Sequence, residues 1–323
     1  MPTTSKNLLR LAITLVALFS AAHLTADLTF APGNYYTSDY SSRTITQYNN
    51  TGAVIGTLTL PSALGDGIQG LAFGADNLLY ATVLRGSNGF AVLALDGSGG
   101  VQQTYAAPVY TAGNLSYGKI ALDGQYLYVT GQNQLTRFLL GDPNSGTSIY
   151  TNNQVFDVKP LPSGNLFVAS AYTIDEITKS GMVVRSISLQ GGEYFTDIRG
   201  IEYNPTTNDL FVTHLGHSNF FFQIMRLDAT TGLLEKNVTM NYADDMYLTS
   251  SGQLLVGSRT QVPRFYDQDL NQTGALGGGQ QMFVTQYPIP EPAVIAYVCV
   301  GALALALQAH RRNRRERQDS GAR

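Results

Sequence analysis

The chain has 323 residues, a formal net charge of −3, 13% charged and 44% hydrophobic residues, a single cysteine and no tryptophan. That length can bury a sizeable core, one cysteine excludes an internal disulfide framework, and the mildly acidic balance excludes the basic face that nucleic acid needs. Glycine (33) and tyrosine (19) are abundant, and short Tyr/Val/Leu/Thr runs between Gly, Asn and Asp turns predict an all-β protein.

At the start of the chain Lys6 and Arg10 precede the apolar run Leu11 to Ala22, and small residues recur at Ala21, Ala22 and Ala26. A basic n-region, a short h-region and a small-residue zone predict a secretory signal peptide over 1–26, cleaved after Ala22 or Ala26, with an uncleaved anchor as the alternative. The region that follows, 27–287, is therefore expected to be exported. Eight of the 20 Lys and Arg and three of the 23 acids lie in the two ends, so this middle carries about −8.

The middle repeats. Gly70–Thr82, Gly118–Thr130, Asp157–Ala169, Gly200–Thr213 and Asp245–Gly257 share an apolar strand, a polar turn and a second strand ending in Leu/Phe-aromatic-small. Tyr80, Tyr128, Phe167, Phe211 and Leu255 correspond, 39 to 48 residues apart. Each unit continues with a third strand, a turn and a fourth, as in Ile174–Ile177 followed by Met182–Leu189. Four short antiparallel strands at this period describe a β-propeller blade, and such blades must stack in a ring to bury their faces. Tyr35 to Leu60 reads as a blade lacking its innermost strand, and Gln280–Tyr287 supplies a spare one, reached through Gly277-Gly278-Gly279. The expectation is a six-bladed β-propeller over 27–287, closed by strands from both ends so that no sheet edge stays open. A two-sheet sandwich is the alternative and leaves the repeat unexplained. The rhythm Gly-apolar-apolar, Asp/Asn-Gly, Leu-Tyr/Phe-Val resembles the NHL and SMP-30-like six-bladed propellers; that likeness implies architecture only.

Acidic residues recur where inner strands begin. Asp66 and Asp197 precede Gly70 and Gly200, Asp157, Asp244 and Asp245 lie at or just before their strands, and Glu202 lies within one. Oxygens converging on the axis could hold Ca²⁺, which takes six to eight such ligands; the alternative is that each Asp caps its own loop through backbone N–H groups. SMP-30-like lactonases use a channel metal held by Glu, Asn and Asp, a set not matched here residue by residue. His214 and His217 are the one close histidine pair, with no third ligand nearby and no helical zinc motif. Phe220-Phe221-Phe222 reads as inter-blade packing or an aromatic rim. Neither a nucleophile elbow nor a phosphate-binding loop is present; Gly97-Ser-Gly-Gly100 reads as a hairpin turn. Tyrosine rings suit sugar stacking, though tyrosine is also an ordinary strand residue.

The end of the chain has three parts: Pro290-Glu291-Pro292, an uncharged apolar run from Ala293 to Ala309, and the cluster Arg311, Arg312, Arg314, Arg315 and Arg317. The run matches the shortest transmembrane helices, roughly 17 residues, and the arginines place the tail in the cytoplasm by the positive-inside rule. Cys299, inside the run, reads as a small apolar residue. Order and spacing resemble the PEP-CTERM sorting signal of exported bacterial proteins. The resemblance covers 288–317, with 318–323 left as a disordered tail. It implies a transient inner-membrane anchor, an exosortase-like processing enzyme as partner, and a destination at the cell surface or outside the cell. The functional expectation is a binding or scaffold module for a polysaccharide or protein ligand. The alternative is a metal-dependent hydrolase or lactonase using the channel acids.

Overall fold

A computed structural model describes residues 28, 30–85, 89–106, 118–188, 198–215 and 222–288; the signal peptide, the proline motif, the apolar run and the arginine cluster lie outside them. Among the described residues no helix is long and apolar enough to cross a membrane. Strands dominate: β1 (Tyr35–Ser38), β2 (Thr44–Tyr48), β3 (Val54–Thr59), β4 (Gly67–Phe73), β5 (Leu79–Leu84), β6 (Phe90–Leu95), β7 (Val101–Ala106), β8 (Ile120–Asp123), β9 (Tyr126–Thr130), β10 (Gln134–Leu139), β11 (Asp142–Thr151) and β12 (Val155–Pro160). The second half adds β13 (Leu166–Ser170), β14 (Ile174–Ile177), β15 (Val183–Ile187), β16 (Ile198–Asn204), β17 (Asp209–Leu215), β18 (Phe222–Asp228), β19 (Leu234–Thr239), β20 (Ala243–Leu248), β21 (Leu254–Ser258), β22 (Arg264–Tyr266), β23 (Gln272–Ala275) and β24 (Phe283–Gln286).

These strands form six four-stranded antiparallel sheets among the described residues. Five are consecutive in sequence, β4–β7 (blade 2) through β20–β23 (blade 6). Blade 1 has the order β24-β1-β2-β3, so the end of the domain supplies its innermost strand. Tyr36 pairs with Thr285 and Ser38 with Phe283. The inner strands β4, β8, β12, β16, β20 and β24 neighbour one another in a closed ring. The molecule is a six-bladed β-propeller, and the sandwich is ruled out.

Second strands such as Leu166–Ser170 and Leu254–Ser258 are buried along their whole length. A middle strand has a neighbouring blade on both faces, which selects a continuous apolar run instead of alternation. The outer strand β19 alternates half-buried and exposed, as expected with solvent on its outer side. Among the described residues the core accordingly has a wedge at each of the six blade interfaces, with a further small cluster of Phe90, Phe156 and Ala171. Tyr36, Ile45, Leu71 and Leu93 fill that of blades 1 and 2, and Phe211, Ile224, Met246 and Val256 that of blades 5 and 6. At the seam between blades 6 and 1, Tyr35 and Phe265 meet edge-on at 5.2 Å, and Ser258 N donates to Gln281 O at 2.8 Å. A Cβ on Gly257 would lie 2.2 Å from Met282 O, so glycine is needed there for the closing segment to come so close.

Candidate functional site

Four inner strands carry the same irregularity. Their register with the second strand slips between Ile68 and Gly70, Val155 and Asp157, Ile198 and Gly200, and Ala243 and Asp245. A bulge re-aims the residues around it. Just past it, Gly70, Asp157, Gly200 and Asp245 lie opposite Thr82, Ala169, Thr213 and Gly257. In blade 3 the repeat aligns Gly118 with Gly70, but a tight turn joins Asp123 directly to Tyr126 as the last pair, where blade 2 closes on Phe73 and Leu79. Lys119 takes the position instead, its carbonyl accepting Thr130 N at 2.9 Å. One level of the axis thus holds Lys119, Asp157, Gly200 and Asp245 from four successive blades.

Lys119 crosses that level, its side chain 4% exposed. Nζ lies 2.8 Å from Asp245 Oδ1 and 3.4 Å from Asp157 Oδ2, and donates to Asp244 O at 2.7 Å. Blade 5 makes room with glycine: a Cβ on Gly200 would sit 3.1 Å from Nζ. The two carboxylates repeat one further contact. Asp157 Oδ2 accepts Ile201 N of blade 5 at 2.8 Å, and Asp245 Oδ2 accepts Val284 N of the closing strand at 3.1 Å. Asp157 Oδ1 accepts Val158 N at 2.8 Å. Each aspartate therefore fastens its blade to the next.

The electrostatics follow from two carboxylates sharing one ammonium. Burial disfavours the Lys119 charge, but Asp157 and Asp245 outweigh it and hold its pKa above the ordinary lysine value. Asp157 is the undersupplied partner: burial raises it to about 6, Lys119 pulls it down in part, and the Asp245 charge pushes it up again.

Two residues along the inner strands, Lys159 reaches Glu202 at 2.5 Å across blades 4 and 5 and lies 5.7 Å from the ring centre of Tyr247 in blade 6. Burial disfavours the Lys159 charge, and Glu202 more than offsets this, so its pKa is raised. At the bulge itself, Asp244 turns to Arg259 and accepts from its N–H and Nε at 3.1 and 3.0 Å, with Nη2 closing a bidentate pair. Asp66 stands exposed just before β4; Asp197 lies outside the described residues.

The acids predicted from sequence thus divide. Asp157, Asp244, Asp245 and Glu202 converge on the axis, each beside a cation, and Asp66 does not join them. Ca²⁺ does not fit between Asp157 and Asp245: the Lys119 ammonium lies between them, 3.4 Å and 2.8 Å away, so the protein's own cation fills that position. Among the described residues no three acidic, histidine or cysteine side chains are disposed to share an ion. Loop capping is instead the work of hairpin residues such as Asp96, which accepts Ser98 N and Gly100 N at 2.9 Å, within the hairpin read from Gly97–Gly100. His214 is buried in β17 and Phe222 packs on Tyr242 at 4.9 Å; His217, Phe220 and Phe221 lie outside the described residues. Sequence reasoning missed Lys119, Lys159 and Arg259. A signal was available, since only four lysines follow the predicted signal peptide and two of them stand in predicted inner strands.

No protein-family model matches the sequence, and the search of curated proteins returns no match. Solved structures share the fold at low identity. A Bacteroides caccae protein of unknown function aligns at 13% identity with TM-score 0.57, covering 79% of this chain and 98% of that one. A chain of a nidogen/laminin complex aligns at 14% with TM-score 0.61, over 79% and 99%. A Bacteroides uniformis protein provisionally assigned as a 6-phosphogluconolactonase aligns at 14% with TM-score 0.50, over 78% and 98%. Identities this low establish the propeller and nothing about activity.

Proposed function

We propose that this chain is a non-catalytic binding or scaffold propeller of the cell surface or extracellular matrix. In this reading an exosortase-like enzyme delivers it by processing the PEP-CTERM-like end, after transient anchoring in the inner membrane. The observation that carries the non-catalytic part is Lys119 lodged between Asp157 and Asp245, 2.8 Å from the latter. Carboxylates that a hydrolase would use for a metal or a water are committed here to holding blades together. The export part rests on the sequence of the two ends.

The test uses the full-length protein in detergent. Metal analysis after dialysis against Ca²⁺ should find no stoichiometric ion, and a lactone and ester panel should show no turnover. Substituting Asp157, Asp197 and Asp245 should change melting temperature only. Bound Ca²⁺ together with turnover, both lost on those substitutions, would instead install the metal-dependent lactonase or hydrolase. Alanine at Pro290, Glu291 and Pro292 should leave the protein in the membrane fraction; release equal to wild type would remove the sorting assignment.

A further inference from the structure

A cleft of about 300 Å³ opens between blades 4 and 5, where the β12–β13 and β16–β17 turns lie side by side. This is the small end of ligand sites, roughly 300–1,000 Å³, and suits one ring better than a chain. We propose that this cleft binds a neutral polyhydroxylated ring, such as a single pyranose unit of a glycan. The site deepens the binding reading above and rests on it.

Its chemistry is mixed in the way a sugar requires. Tyr203 provides an aromatic wall, fixed at both ends: its ring meets Phe167 edge-on at 5.6 Å, and its hydroxyl donates to Asn208 Oδ1 at 3.2 Å. Such a ring offers an apolar face to the C–H face of a pyranose. Beside it Glu176 accepts from Arg185 Nε and from Asn165 Nδ2, each at 2.7 Å. Burial pushes the Glu176 carboxyl up, but these donors outweigh it and hold its pKa below the ordinary value. Both oxygens keep a further lone pair.

Arg185 Nη1 donates to Thr230 O at 2.9 Å, and Nη2 has no acceptor among the described residues. A carboxylate acceptor beside a guanidinium donor matches a vicinal diol, whose hydroxyls give one hydrogen bond and take another. Because Glu176 and Arg185 cancel, the lining offers no net attraction to an ion. Pro162 and Pro205 stiffen the two turns, so the walls are preformed and little ordering opposes binding.

Saturation-transfer NMR on the full-length protein decides this, with D-glucose, D-galactose, N-acetyl-D-glucosamine and myo-inositol as probes and D-glucuronate and D-glucosamine as charged controls. Transfer to at least one neutral ring is expected. Glu176→Gln should weaken its Kd by about tenfold to a hundredfold, the loss of a hydrogen bond to a charged group. Tyr203→Leu should abolish transfer, and Asp96→Asn in the blade 2 hairpin should leave it unchanged. Melting temperatures of the two cleft variants guard against unfolding.

No transfer to any neutral ring, or transfer to the charged rings alone, overturns the proposal. So does neutral-ring binding that both cleft variants retain, an outcome that leaves the binding reading standing with its site elsewhere. Lactone turnover, by contrast, would remove that reading whatever the cleft binds.

Discussion

Replacing Lys119 by methionine keeps most of the stem and removes the ammonium. Three partners lose their donor at once: Asp245 Oδ1 at 2.8 Å, Asp157 Oδ2 at 3.4 Å and Asp244 O at 2.7 Å. Breaking a buried ion pair by deleting one partner costs about 3–5 kcal/mol, because the charge left behind is uncompensated. In a domain of this size that corresponds to a fall in melting temperature of roughly 6–20 °C, a large part of a total stability of about 5–15 kcal/mol.

The loss should also carry a pH signature. Without the ammonium Asp157 is pushed further up. A carboxyl whose folded value is raised contributes stability below its unfolded value, near 4, and loses it as pH climbs through the folded value. The deficit of Lys119→Met should therefore shrink between about pH 7.5 and about pH 5. Adding Asp157→Asn and Asp245→Asn should restore more than half of the loss, because no buried charge then stands alone. Calorimetry on the full-length protein reads all three effects. A single variant melting within about 2 °C of wild type, with no pH dependence of the difference, would refute the interlock.

In the wild type, Asp157 at about 6 makes the same linkage visible. Its contribution is complete below about pH 4 and lost through about pH 6, so melts at pH 5 and 7 should show a stability gain toward acid that Asp157→Asn flattens; an unchanged slope would contradict the assignment. Gly200→Ala places a methyl 3.1 Å from both Lys119 Nζ and Thr213 Oγ1. The ammonium is held by three partners and cannot give way, so denaturant melts should show a loss of about 1–3 kcal/mol; no change would mean that the axis is looser than its distances indicate. Val284→Pro removes an N–H that points at Asp245, not into the β1 ladder. The proline ring carbon that replaces this hydrogen meets the buried Asp245 Oδ2, so a cost of at least about 1.5–3 kcal/mol beyond that of a Val284→Ala control is expected from the lost charged hydrogen bond and the crowding together; equal melts for the two variants would show that the contact adds nothing.

The frame was legible because propeller strands obey local rules. Leu166–Ser170 and Leu254–Ser258 are buried throughout and apolar up to their closing serines, since blades cover both faces, and the incomplete unit at Tyr35 announced its missing partner. The acids were legible as a set, because inner strands begin at matching points in each repeat. Their role was not. The tighter turn of blade 3, closed by Asp123 and Tyr126, moves Lys119, in place of Gly118, onto the level of Asp157, and the bulges turn Asp244 away from Asp245. These are matters of register, and they decide whether carboxylates meet each other or meet a lysine. The cleft beside Tyr203 was equally hidden, since residues from Leu161 to Asn208 come together only when two turns of separate blades are set side by side.

The axial cluster also bears on how the ring closes. A propeller built of like blades can stack its sheets through apolar wedges alone, and nothing in those wedges counts to six. The charged level does distinguish the blades: it needs a lysine from blade 3, an aspartate from blade 4, a hollow in blade 5 and an aspartate from blade 6. Its last requirement, the N–H of Val284, comes from the strand made last, which also pairs with β1 from the other end of the domain. Until that strand docks, Asp245 lacks one of its donors in a region about to lose water, and a buried acceptor left unsatisfied costs about 1–3 kcal/mol. Closure therefore satisfies the axis and the sheet edge in one step. Gln286, which ends β24, donates to Gly33 O at 3.2 Å, so the two chain ends of the domain are tied before the proline-rich end begins.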